Sequence, residues 1–160
     1  MTDDSAPAAT FSARQTPETY LGYERAEGYE GPVSRSYNTA KQYRFPGFLP
    51  DDAWGLRGQW LVESQKIVAQ EAGATLQLNF TAKKVFLVLG TATGKPIHAT
   101  VTLNGAALTH NAGKDAPNGK LLIDRNRLYE LIDQSSVHNA LVEIQADEPG
   151  LEAYAFTFGS

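Results

Sequence analysis

TLQLNF (75–80), followed after a short polar break by VFLVLG (85–90), decides the fold. In the first run Leu76, Leu78 and Phe80 alternate with Thr75, Gln77 and Asn79, the period-2 pattern of a strand with one wet face. The second run is apolar on both faces, which predicts a central strand covered on both sides. Working outward, Ile97, Ala99, Val101 and Leu103 alternate with His98, Thr100 and Thr102. Asn104-Gly105 follows directly, a pair that favours the type I′ turn of a hairpin. KLLI (120–123), RNRLYELIDQ (125–134), LVEIQA (141–146) and EAYAFTF (152–158) bring the second half to six or more short strands. In RNRLYELIDQ, Leu128, Leu131 and Ile132 also fit helical spacing, but Tyr129 and Ile132 fit a strand and the run is read as one. Tyr154, Phe156 and Phe158 share one face of the last strand and read as core.

The first third is different in kind. From Thr16 through FPGFLP (45–50) Pro, Gly and Tyr interrupt any period, so this stretch reads as ordered loops or short edge strands. Residues 1–15, rich in Ala, Ser, Thr, Asp and Pro, read as a flexible linker. Many short strands with Gly and Pro turns, and no alternating helices, predict an all-β fold: one antiparallel β-sandwich over 16–160, of the jelly-roll kind.

Composition removes several functions. A net charge of −4 with scattered cations such as Lys83 and Lys84 argues against nucleic acid, whose binding relies on clustered Lys and Arg. Zero cysteines removes thiolate metal sites, Cys nucleophiles and CxxC redox chemistry. His98, His110 and His138 lack HxxxH or HxH spacing, so no metal site is assigned. Asp147, Glu148 and Glu152 around Pro149-Gly150 read as a solvated turn rather than a Ca²⁺ loop. No GxSxG, P-loop or GxGxxG occurs and no carboxylate sits in a distinctive context, so neither a cofactor nor a catalytic residue is assigned. No apolar run approaches the ~18 residues that would span a bilayer. MTDDSAPAAT is acidic and polar where a signal peptide is basic and then apolar, so the chain is read as cytosolic or as part of something longer.

Five stretches carry a resemblance: TPETYLGYERAE (16–27), WGLRGQW (54–60), AGATLQLNFTAKKVFLVLG (72–90), RLYELI (127–132) and EPGLEAYAFTFG (148–159). Together they resemble the C-terminal module that follows the thioredoxin-like domain in DipZ-type proteins, bacterial thiol-disulfide or cytochrome c biogenesis proteins. The resemblance implies a carbohydrate-binding-module-like jelly roll, an attached thioredoxin-like domain, and a location outside the cytoplasmic membrane, periplasmic or in the cell envelope. The CxxC of that thioredoxin-like domain is absent here, so redox activity does not transfer.

Sugars are held by flat aromatic faces together with hydrogen-bonding side chains. Trp54 and Trp60, an even number of residues apart, form a paired sugar platform if exposed, or plug the ends of the sandwich if buried. Tyr23 and Arg25, with Tyr20 and Tyr29 nearby, form either a recognition surface or a face against a preceding domain. Arg127 and Tyr129 form a polar fork beside an aromatic unless Tyr129 points inward. The reading is a non-catalytic module that binds cell-envelope carbohydrate. Its rival is a protein-interaction module that docks the thioredoxin-like domain or its redox partner, and a glycan-acting enzyme is a third, weaker alternative.

Overall fold

The computed structural model describes residues 14–160, so the expected linker lies outside the described residues except for Arg14 and Gln15. The strands are β1 (Thr19–Tyr20), β2 (Lys41–Tyr43), β3 (Trp54–Val62), β4 (Ile67–Ala69), β5 (Thr75–Thr91), β6 (Ile97–Leu103), β7 (Ala106–Ala107), β8 (Lys120–Ile123), β9 (Arg127–Ala146) and β10 (Leu151–Gly159). They make an all-β, antiparallel sandwich of the jelly-roll kind.

TLQLNF and VFLVLG are one strand of 17 residues, not two. Its partner β9 likewise joins RLYELI to LVEIQA in a single strand of 20 residues. Register shifts at Ala82/Lys84 and Val85/Phe86 let this long ribbon change partners along its length. At one end, Thr75–Leu78 of β5 pairs with β3. At the other, residues 84–91 of β5 pair with β10. β4 pairs with both β3 and β10, so the strands close around the core. The second run is central, as its apolarity predicts, but Phe86 and Val88 are half-buried rather than covered. Asn104 and Gly105 take φ of 52° and 79°, both left-handed, as a type I′ turn between β6 and β7 requires.

Trp54, Trp60, Tyr43, Tyr129, Phe80 and Phe156 are the largest fully buried side chains. Burying each contributes on the order of 1.5–3 kcal/mol. The irregular first third is ordered by hydrogen bonds to the rim of β3. Glu30 N donates to Trp54 O, Asn38 N to Val62 O, Tyr23 N to Glu63 O and Glu24 N to Ser64 O. Backbone groups that pair in no ladder are thereby satisfied, which lets a Gly- and Tyr-rich loop hold one conformation.

Candidate functional site

The chain between β1 and β2 lies directly on the turn between β3 and β4. A Cβ on Gly22 would meet the backbone carbonyl carbon of Gln65 at 2.3 Å, so only glycine permits that approach. Tyr23, next in sequence, stacks on Tyr37 with centroids 4.2 Å apart and planes 12° off parallel. Asn38, at φ 60°, donates through Nδ2 to Tyr23 Oη at 3.2 Å. Tyr37 is left 50% exposed.

Beside this stack a cleft of about 470 Å³ is lined by Asn38, Glu63, Ser64, Gln65, Lys66 and Tyr154. Lys66 Nζ donates to Glu152 Oε2 at 2.9 Å and lies 5.6 Å from the centroid of the Tyr154 ring. Tyr154 Oη donates to Glu152 Oε1 at 3.2 Å and accepts from Asn126 Nδ2 at 3.1 Å. The hydrogen bond that Lys66 donates to Glu152 holds the Lys66 pKa above its ordinary value, against the opposing effect of burial. The cleft thus holds a fixed polar network on the Tyr154 ring, and the half-exposed face of Tyr37 lies beside it, next to Asn38. A flat ring beside convergent donors and acceptors suits a pyranose ring and its hydroxyls.

A second cleft, of about 670 Å³, lies among residues 17–30 and 50–53. Arg25 caps the Tyr20 ring at 3.8 Å, and Tyr20 Oη donates to Glu18 Oε1 at 3.0 Å. Its other charges are the carboxylates of Glu27, Glu30, Asp51 and Asp52. Burial presses the Asp52 carboxyl upward, but hydrogen bonds from Arg14 and Thr16 prevail and hold its pKa below the usual range. The tyrosine face that would stack on a sugar is already covered by Arg25.

Over residues 16–159 the sequence matches the family model described as Thioredoxin like C-terminal domain. The chain belongs to this family. It is 26% identical over 162 residues to "Protein DipZ" of Mycobacterium bovis (strain ATCC BAA-935 / AF2122/97), covering 97% of this chain and 20% of the relative. The same figures hold for "Protein DipZ" of Mycobacterium tuberculosis (strain CDC 1551 / Oshkosh), 26% identical with 97% and 20% covered. The chain therefore spans about a fifth of the length of these curated relatives. Among solved structures it is similar to a family two carbohydrate esterase from Cellvibrio japonicus, at a TM-score of 0.47 and 12% identity over 58% of this chain and 26% of that one. It is also similar to a family two carbohydrate esterase from Clostridium thermocellum in complex with cellohexaose, at a TM-score of 0.45 and 14% identity over 59% and 27%.

Within this thioredoxin-like C-terminal domain the sequence-predicted residues separate. Trp54 and Trp60 are not an exposed platform: both are 0% exposed. Trp54 Nε1 donates to Glu27 O and Trp60 Nε1 to Arg57 O, so each indole is buried with its polar atom satisfied. Tyr129 is likewise buried, donating to Arg125 O at 2.8 Å. Arg127 does sit 3.8 Å over the Tyr129 ring, but its guanidinium donates to Asp115 and Leu128 O, so the fork is occupied internally. Tyr23 and Arg25 fall on different clefts: Tyr23 in the stack beside the smaller one, Arg25 on Tyr20 in the acidic one. Tyr29 goes to the edge of the core, 5.2 Å from the Trp54 ring. Asp147, Glu148 and Glu152 do not converge: they bind Thr100, His98 and Lys66 respectively. Sequence reading missed Tyr37, Asn38 and Lys66, and assigned Tyr154 to the core. The available signal was an aromatic outside any periodic run, followed by Asn in SRSYNTA (34–40).

Proposed function

We propose that this domain is a non-catalytic carbohydrate-binding module appended to a thioredoxin-like redox domain, and that it holds cell-envelope glycan in the cleft between Tyr37–Asn38 and the β3–β4 turn. The observation that carries this reading is the half-exposed Tyr37, stacked on Tyr23 and followed by Asn38, which lines the cleft together with Lys66 and Tyr154. A preorganised ring loses little freedom when it stacks on a sugar. An extracytoplasmic location, and a place in thiol-disulfide or cytochrome c biogenesis chemistry, follow from the same reading of the DipZ relatives.

A second reading, a module that docks the thioredoxin-like domain or its redox partner, is favoured by a different surface. Phe48 is 77% exposed, close in sequence to Asp52, where Arg14 is anchored at 2.8 Å. Affinity electrophoresis and pull-down against cell-envelope polysaccharides separate the two. Retention by a glycan, lost in Tyr37→Ala at unchanged melting temperature, supports the first. Retention by no glycan, with capture instead by the thioredoxin-like domain of a DipZ relative and loss in Phe48→Ala, favours the second.

A further inference from the structure

We infer that the glycan is acidic and that Arg35 reads its carboxylates; this rests on the carbohydrate reading above and names the ligand class of the same surface. Residues 31–50 contain Arg35, Lys41 and Arg44 and no Asp or Glu, in a chain whose net charge is −4. Arg14, Lys66 and Arg127 each pair with a carboxylate, Asp52, Glu152 and Asp115 respectively. Arg35 has no such partner among the described residues, and its Nη1 is buried without a hydrogen bond.

Rings surround it instead. Its guanidinium carbon lies 5.0 Å from the centroid of Tyr29, 5.7 Å from Tyr37 and 5.8 Å from Trp54. Aromatic faces stabilise a cation without occupying its N–H donors, and they lower the local dielectric, so an arriving carboxylate is attracted more strongly than in water. The guanidinium fork matches a carboxylate in two parallel hydrogen bonds. The unpartnered donor at the buried end of the guanidinium shows that the protein itself supplies it no acceptor.

Position links this cation to the cleft. Tyr37 is near both: its ring centroid lies 5.7 Å from the Arg35 guanidinium carbon and 4.2 Å from the Tyr23 ring, and Tyr23 accepts the hydrogen bond of Asn38, which lines the cleft. Lys41 adds a second positive charge, its Nζ held by Ser34 O at 2.8 Å and Ser36 Oγ at 3.1 Å, on either side of Arg35 in sequence. Lys66 does not do this work, because Glu152 neutralises it. A sugar stacked on Tyr37 thus places a ring carboxylate, as in a uronic acid, toward Arg35 while its hydroxyls face Asn38 and the polar network. A neutral glycan would leave Arg35 unused.

The test titrates the full chain with oligogalacturonate, its methyl ester, a neutral β-glucan oligosaccharide and poly-glutamate, by calorimetry. The acid form should bind about tenfold more tightly than the ester, with the preference abolished in Arg35→Gln and partly kept in Arg35→Lys. Equal affinity for acid and ester, or a preference that survives Arg35→Gln, overturns the inference and leaves the cleft reading standing. Binding to no glycan at all overturns both. Poly-glutamate bound as tightly as oligogalacturonate reassigns the face to an acidic peptide and also overturns it. Should Arg35→Gln fail to fold, the salt dependence of the wild type decides: steeper for acid than for ester supports the inference, and equal slopes contradict it.

Discussion

Trp54 and Trp60 on β3, and Tyr23 and Tyr37 on the loops that lie against it, are the same kind of side chain put to opposite use. Both indoles are fully buried with their N–H groups bonded to backbone carbonyls. The tyrosines stack outside the sheet, and Tyr37 keeps half of its surface in solvent. Burial drives the first pair and preorganisation the second. A ring becomes a binding surface where the backbone beneath it is held by something other than the ring's own burial. Here that is the hydrogen bonding of residues 23–38 to the rim of β3.

Mutations that break this contrast rank by how far each ring or charge is buried. Trp54→Ala or Trp60→Ala should lower stability by about 3–5 kcal/mol in denaturant unfolding, with any loss of binding following from unfolding. Glu152→Ala strips the partly buried Lys66 and Tyr154 of their acceptor and should cost about 1–3 kcal/mol. It should also loosen the cleft, visible as broadened Tyr154 resonances. Tyr37→Ala should leave stability within about 1 kcal/mol and weaken glycan binding about tenfold, the inverse of the tryptophan result.

The smallest expected effect is electrostatic. Burial pushes the Asp115 carboxyl upward, but the Glu130 backbone N–H and Arg127 outweigh it and hold its pKa below the usual carboxylate range. A depressed folded-state pKa contributes stability that is present above the unfolded value and is lost as pH falls through the folded one. Asp115→Asn should therefore flatten the acid limb of a stability-against-pH curve. The loss should be about 1 kcal/mol or less, since Arg127 is 34% exposed. Lys66, with its pKa raised, works the other way: its contribution is present below the unfolded lysine pKa and is lost in alkali.

The strands were legible because side-chain period survives in sequence. Leu76, Leu78 and Phe80 are buried, as are Val101, Ile144 and Phe156. The join at 81–84 was not, because Lys83 and Lys84 read as a break while the register shift there keeps them in the strand. Period also reports that Trp54 and Trp60 are an even number of residues apart without saying which side of the sheet is inside. The tyrosine stack beside the cleft was legible only through Tyr23. The cleft's own residues, among them Asn38, Lys66 and Tyr154, come from loops and strands far apart in sequence. The shift between Ala153 and Ala155 lifts Tyr154 out of the alternation that assigned it to the core.

Amide chemical-shift mapping during titration with a bound oligosaccharide distinguishes glycan held at the tyrosine stack from glycan on the tryptophans or in the acidic cleft. Perturbations should cluster at Tyr37, Asn38, Ser64–Lys66 and Tyr154. Perturbations centred on Arg25, Glu27 and Asp51, or none with any glycan, would contradict binding at the stack.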